Sequence, residues 1–161
     1  LTLIPIVVGS ALYGWGSGAW LGFVFGVTVL LTGDANLFLA VNIPGTIITV
    51  ILKGTLAGAA AGFVYKLISK KNQIAAVIVS AVVAPVVNTG IFVLGSYVFF
   101  FDYLSGLAEG TNLFVFILVG LVGINFFIEL GINLVLNPAI LQIIRIGKKN
   151  FGGKNQIIKT K

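Results

Sequence analysis

Three residue types that carry much of protein chemistry are missing from this chain of 161 residues: cysteine, histidine and methionine. Without cysteine the chain cannot form a disulfide, a thiolate nucleophile, a zinc finger or an iron–sulfur site. Without histidine it lacks the commonest metal ligand and the commonest general base. The sequence also contains no GxxxxGK nucleotide loop and no HExxH motif. We therefore predict no enzymatic activity, no catalytic residue, no metal site and no cofactor.

Charged residues are also scarce, at 9% of the chain, whereas 58% of the residues are hydrophobic and the mean hydropathy is +1.14. So little polar surface cannot cover a soluble domain of this size, so the composition indicates an integral membrane protein. In lipid the backbone must satisfy its own hydrogen bonds, as helices or as a closed barrel. The apolar runs are too long and continuous for barrel strands. We predict an all-α, polytopic transmembrane bundle.

About five hydrophobic segments are visible, separated by glycine, proline and polar residues. The first is shorter than the roughly 20 residues of a full span and ends in a glycine-rich turn at 14–18. Pro44 is placed to begin a helix, Pro85 interrupts one, and Asn137-Pro138 breaks the last run. The segments cover 1–13, 19–31, 44–68, 73–101 and 113–146.

The predicted domain organisation is a single transmembrane domain over 1–147 and a basic cytoplasmic tail over 148–161. Two stretches, 35–42 and 102–112, are predicted to be loops, and the apolar residues of the first indicate that it packs down on the protein.

The basic residues predict which ends of the segments face the cytoplasm. All of them except Lys53 lie at 66–71 or from Arg145 onwards, and the positive-inside rule places both regions in the cytoplasm. The loops around Asp34 and Asp102 are then external. Counting back, and because the chain has no methionine, we expect a sixth helix before Leu1 and a cytoplasmic N-terminus. The net charge of +6 then reflects topology, and no nucleic-acid partner is predicted.

Glycine recurs at every fourth position in two segments, as Gly18, Gly22 and Gly26 and again as Gly54, Gly58 and Gly62. This spacing places each set on one helix face, where backbones can approach closely. Each face is either a packing surface within the bundle or a docking surface for another membrane subunit, and the spacing does not separate the two.

The polar residues that interrupt the apolar runs are the candidate site. Lys53, Asn88 and Glu129 each lie 16 or 17 positions from a basic residue that borders their segment. At 1.5 Å per residue, all three are about 24 to 26 Å from the cytoplasmic face. Ionisable residues at such a depth are costly and are commonly functional, so we predict a polar ligand pocket beneath the external loops.

The last segment adds a polar stripe, because Asn125, Glu129, Asn133 and Asn137 recur at intervals of four. Asn125 lies one turn above Glu129 and joins the predicted site. Asn137, beside Pro138, is predicted to cap a helix or to satisfy a freed carbonyl. The predicted substrate-binding residues are Lys53, Asn88, Asn125, Glu129 and Asn42.

Two other interpretations of these residues remain open. In one, Lys53 and Glu129 form a structural ion pair that fixes helix register, or Lys53 reaches the outer interface. In the other, the protein is an ion-gradient-driven carrier in which Lys53 and Glu129 exchange protons, although the two halves show no convincing inverted repeat.

The order of these parts resembles the substrate-binding membrane subunit (S component) of an energy-coupling factor (ECF) vitamin transporter. The similar stretches are IPIVVGSALYGWGSGAWLGFVFG, GDANLFLAVNIPGTIITVILKGTLAGAAAGFVYKLISKK and ELGINLVLNPAILQIIR. The resemblance implies six helices, cytoplasmic termini, and a first helix whose small residues help to dock the shared subunit. It also implies a small-molecule vitamin as ligand. The implied partners are a transmembrane scaffold subunit and two cytoplasmic ATPase subunits.

Within this family, GDANLFLAVN and NTGIFVLG are most similar to the pantothenate branch, followed by the hydroxymethylpyrimidine or pyridoxine branch. Pantothenate suits Lys53 through its carboxylate, and its hydroxyls and amide suit Asn88, Asn125 and Glu129. A pyrimidine would instead bind Glu129 and leave Lys53 as a counter-ion. Pantothenate is the preferred ligand at this point.

Overall fold

The computed structural model describes residues 3–158, except for the side chains of Asn125, Lys148 and 150–158. Within that range the chain is helical and contains no strand. In chain order the elements are α1 Leu3–Tyr13, α2 Trp15–Thr32, α3 Asn36–Val41, α4 Ile43–Ser69, α5 Gln73–Phe99, α6 Phe101–Leu107, α7 Leu113–Val115, a π-helix Phe116–Gly123, α8 Ile124–Val135 and α9 Asn137–Ile158.

Three of the described helices, α2, α4 and α5, are long and apolar enough to cross a membrane. Leu113–Gly123 and Phe126–Val135, which meet at a bend of 44°, pass the same test together as a fourth span. Helix α1 is apolar but has only 11 residues. The predicted all-α membrane bundle is confirmed. Its first four segments correspond to α1, α2, α4 and α5, and the fifth, 113–146, corresponds to the bent pair and the first part of α9. The predicted break at Asn137 is confirmed too.

Two glycines end the first two helices. Gly14 and Gly33 have φ of 95° and 85°, in the left-handed region that costs glycine least. The turn predicted over 14–18 is shorter than expected, because Gly14 alone reverses the chain and α2 begins at Trp15. The five-residue estimate was wrong because Gly16 and Gly18 are tolerated inside the helix.

Both segments predicted as loops contain short helices, α3 and α6. Neither segment contains a proline, and leucine and alanine in the first favour a helix. The expectation that the first segment packs down on the protein is met by Phe38, whose ring contacts Phe92 and Phe100 with centroids 5.5 and 5.0 Å apart. Leu37 beside it is 75% exposed.

The two glycine repeats pack against each other, which answers the question that their spacing left open. Helices α2 and α4 cross at these residues, and a Cβ added to Gly22 would collide with the carbonyl oxygen of Gly54. In the same way, a Cβ on Gly58 would collide with the carbonyl oxygen of Gly18. Both repeats are therefore internal packing faces, and close backbone approach holds α2 against α4.

The buried apolar residues form two clusters that lie at different heights along α4 and α5. One joins α1 and α9 to the part of α5 between Ala76 and Ala84. The other surrounds Phe100 and Leu104 and includes Phe38 and Phe92. The stretch of α5 between the two clusters, from Pro85 to Ile91, carries the polar residues Asn88 and Thr89.

The glycine contact gives a direct test of the fold. We expect Gly58→Ala to destabilise the protein by about 1–3 kcal/mol, because the new methyl group meets backbone that cannot move aside. The measurement is the thermal unfolding midpoint of the purified protein in detergent.

Gly90→Ala is the matched control, because Gly90 also lies inside a long helix but has no neighbouring atom within 4 Å of an added Cβ. We expect it to be neutral or to stabilise the helix by up to about 1 kcal/mol. Equal midpoints for the two variants would contradict the packing described here.

Candidate functional site

A cavity of about 260 Å³ lies where α2, α3, α4, α5, the π-helix and α8 meet. Lys53, Asn88 and Glu129 all line it, so the structure brings together three of the five residues predicted for the site. Counting from Lys70, Lys71 and Arg145 placed these residues at one height, although Arg145 lies in α9, beyond the break that follows α8. The three helices also turn these residues toward one space.

Lys53 reaches the cavity because of the residue that follows it. Gly54 lies in the contact with α2, and consecutive residues of a helix point about 100° apart, which turns Lys53 away from that contact. Its Nζ lies 5.2 Å from the centroid of the Phe92 ring, a cation–π distance. Between the described side chains of Lys53 and Glu129 there is no ion pair within 4.0 Å.

Asn88 presents an unsatisfied acceptor at the cavity. Its Oδ1 atom is buried and has no hydrogen-bond partner in the described structure. A buried amide oxygen without a donor costs about 1–3 kcal/mol, so such an atom is a ready acceptor for a ligand. Thr89 follows it in the cavity wall and adds a hydroxyl group.

Asn42 is not brought to the cavity. Its Oδ1 accepts a hydrogen bond of 2.9 Å from the N–H of Gly45 and thereby caps α4, and its Nδ2 donates to the carbonyl of Phe99 at 3.3 Å. Its position just before Ile43-Pro44 is the usual signal of a helix cap. Asn125 lies in α8, but its side chain is outside the described part of the structure.

Sequence reasoning missed an aspartate and several aromatic residues that line the cavity. Asp34 was considered only as a mark of an external loop, yet it lies in the cavity wall, and the hydroxyl of Thr32 donates to its Oδ2 at 2.8 Å. The rings of Phe38, Phe92 and Phe126 also line the cavity. Phenylalanine in an apolar chain carries no signal of its own, so only its place in the fold reveals it.

Helix α8, which carries Glu129, is joined to α5 by one buried hydrogen bond. Pro85 has no N–H, so the carbonyl of Ala81 four residues earlier loses its helical partner. Asn133, which is 2% exposed, donates its Nδ2 to that carbonyl at 3.2 Å. Asn137, predicted to cap a helix or to satisfy a freed carbonyl, begins α9, and its Nδ2 is buried with no partner among the described residues. The Nδ2 of Asn137 therefore satisfies no carbonyl, and the capping role stays a prediction.

The site is therefore a small polar cavity within an apolar helical bundle, with a cation, two carboxylates, an amide and aromatic rings in its wall. One family comparison identifies the setting: a family described as "ECF transporter, substrate-specific component" matches residues 1–141. The chain belongs to this family. Comparisons with curated proteins and with solved structures give no match.

Family membership confirms the resemblance to S components and does not identify the ligand. An S component is a membrane-embedded transport subunit that handles a small-molecule substrate alongside other ECF subunits, and it is not an enzyme. The match covers all the elements that form the cavity, from α2 to α8. The polar cavity thus lies in the part of the bundle that the family match includes.

The hydrogen bond between α5 and α8 can be tested by a double substitution. We expect Asn133→Leu to lower the free energy of unfolding by about 1–3 kcal/mol, because the Ala81 carbonyl is left buried without a donor. Pro85→Ala restores a backbone N–H for that carbonyl, so the cost of Asn133→Leu should shrink in the Pro85→Ala background. Thermal unfolding of all four proteins in detergent measures the coupling. Strictly additive effects would contradict the pairing.

Proposed function

We propose that this S component binds a water-soluble vitamin in the cavity and delivers it to an ATP-driven importer. The observation that carries the proposal is the convergence of Lys53, Asn88 and Glu129, from three helices of a chain with very few charges, on one cavity. Ionisable groups at membrane depth are costly and are kept where they serve a substrate or an ion. The remaining importer subunits are a membrane scaffold and two cytoplasmic ATPases, as the family resemblance implies.

The proposed orientation places the C-terminus and the 66–71 turn in the cytoplasm. The concentration of lysine and arginine at these two places supports it through the positive-inside rule. In this orientation the turn around Asp34 faces outward, and the cavity lies beneath it. The vitamin would then enter from outside past Asp34 and α3. The second external segment, 102–112, supplies no residue to the cavity wall.

Two kinds of vitamin are supported by different observations. Lys53 offers a cation to a carboxylate, which favours pantothenate, the ligand that the sequence placed first. The aromatic residues in the wall favour a flat ring, as in hydroxymethylpyrimidine or pyridoxine. In either case the proposed ligand is a vitamin that binds in this cavity.

The alternatives of a structural subunit and of an ion-driven carrier receive less support. The structural interpretation depends on a Lys53–Glu129 ion pair, and these two described side chains form none within 4.0 Å. A carrier would be driven by an ion gradient and would need no ATPase subunits. Uptake into proteoliposomes that persists without the ATPases and follows an ion gradient would favour the carrier and contradict our proposal.

Lys53 provides the main test of the proposed function. We expect the full-length protein in detergent to bind one vitamin tightly in calorimetry, and we expect Lys53→Met to weaken that binding by roughly 10- to 100-fold, as for a lost charged hydrogen bond. Methionine retains an unbranched stem of similar length, so packing against Phe92 is largely kept.

Lys66→Met is the matched control, since Lys66 lies in the same helix but is exposed and far along the chain from the cavity residues. It should bind as the unchanged protein does. Unaltered affinity in Lys53→Met would place the ligand elsewhere, and no binding of any vitamin by the folded protein would refute the proposed function.

A further inference from the structure

We infer that the ligand is a flat nitrogen heterocycle, uncharged or cationic and bearing N–H or O–H donors, and that Asp34 and Glu129 discriminate against anionic ligands. The inference rests on the proposed function, because it concerns the chemistry of the same cavity. It is carried by the charge balance, the free acceptors and the shape of the cavity wall.

The charge balance opposes an anion. The described wall contains one cation, Lys53, and two carboxylates, Asp34 and Glu129, so its formal charge is +1 − 2 = −1. A ligand carboxylate would add a third negative group to a space with a single ammonium, and that ammonium already lies over the Phe92 ring. Glu129 is partly buried, where like charges repel more strongly than in bulk water, and Asp34 acts from the exposed turn after α2. A neutral ligand meets no such repulsion, and a cationic ligand is repelled by Lys53 but attracted by both carboxylates.

Three side chains of the wall offer hydrogen-bond acceptors to a ligand, in addition to the N–H donors of Lys53. The buried Oδ1 of Asn88 has no donor, and an ionised Glu129 can only accept. Asp34 receives one hydrogen bond, from Thr32, through Oδ2, and its other oxygen is free to accept a second. A ligand satisfies these three acceptors by donating hydrogen bonds, through amino, hydroxyl or ring N–H groups.

The apolar part of the wall selects for a ring. Phe38, Phe92 and Phe126 come from three different elements and all line the cavity. Phe38 packs edge-on against Phe92, with centroids 5.5 Å apart, so these two rings form a fixed corner rather than a flexible surface. At about 260 Å³ the cavity is at the small end of ligand sites, which suits a ligand of one or two rings.

Asp34 is the residue that makes the inferred ligand differ from the pantothenate that the sequence analysis preferred. With Lys53 and Glu129 alone the wall would be neutral and a carboxylate ligand would be acceptable. Asp34 enters because Gly33, with φ of 85°, ends α2 and turns the chain across the mouth of the cavity. It is exposed there, where a negative charge attracts cations and repels anions on entry.

The test compares ligands of matched shape and different charge. Calorimetry on the full-length protein in detergent would use nicotinate against nicotinamide and pantothenate against pantothenol, with hydroxymethylpyrimidine, pyridoxine and thiamine as ring ligands. We expect a neutral or cationic ring to bind most tightly, and each anion to bind at least about 10-fold more weakly than its neutral counterpart.

Two variants assign the discrimination to the proposed residues. Asp34→Asn and Glu129→Gln keep the side-chain shape and remove the charge, so each should lower the affinity for a cationic ring by roughly 10-fold and narrow the gap between anion and neutral counterpart. Asp102→Asn is the control, because Asp102 is exposed, carries the same charge and does not line the cavity.

The outcomes separate this inference from the function on which it rests. Tight binding of pantothenate, with weaker binding of pantothenol, would overturn the inference and still support a vitamin-binding S component. Discrimination that is unchanged in both Asp34→Asn and Glu129→Gln would also overturn it. No binding of any ligand by protein that unfolds cooperatively would overturn the inference and the proposed function together.

Discussion

The close contact between the backbones of α2 and α4 is the constraint on which the remaining structure depends. Membrane helices gain little from burying apolar side chains, because lipid is equally apolar, so close packing must supply the attraction. Glycine allows it: Gly22 meets Gly54, and Gly18 meets Gly58. This contact also fixes the rotation of α4 about its axis. Since Lys53 precedes Gly54, the same contact that joins the helices turns the ammonium into the bundle.

The opposite wall of the cavity is held by a polar contact of a different kind. Pro85 removes one helical hydrogen bond from α5, and a membrane provides no water to replace it. Asn133 supplies the missing donor to the carbonyl of Ala81 and so joins α8 to α5. Glu129 lies four residues before Asn133, on the same helix face, and lines the cavity. A local defect in one helix thereby determines the position of a charged residue on another.

Together these contacts enclose a space whose polar character is unusual for its surroundings. The helices present apolar side chains outward, as lipid requires, and keep Lys53, Asn88 and Glu129 for the interior. That arrangement suits the substrate-binding subunit of a transporter. The few polar residues of the wall then determine which compound binds. Asp34, which lies outside the helices, changes the formal charge of the wall from neutral to negative.

The sequence by itself determined the membrane class, the helical bundle and most helix limits, because composition and local breakers such as Gly14, Gly33 and Pro44 act within one segment. It also placed Lys53, Asn88 and Glu129 at one height, since helical rise is constant. Only the tertiary structure decided that the glycine faces pack internally, that Asn133 bonds the carbonyl freed in α5, that Asn42 is a cap, and that Asp34 joins the site. Each of these depends on which helices are neighbours and how they are rotated, and spacing along one chain does not encode either.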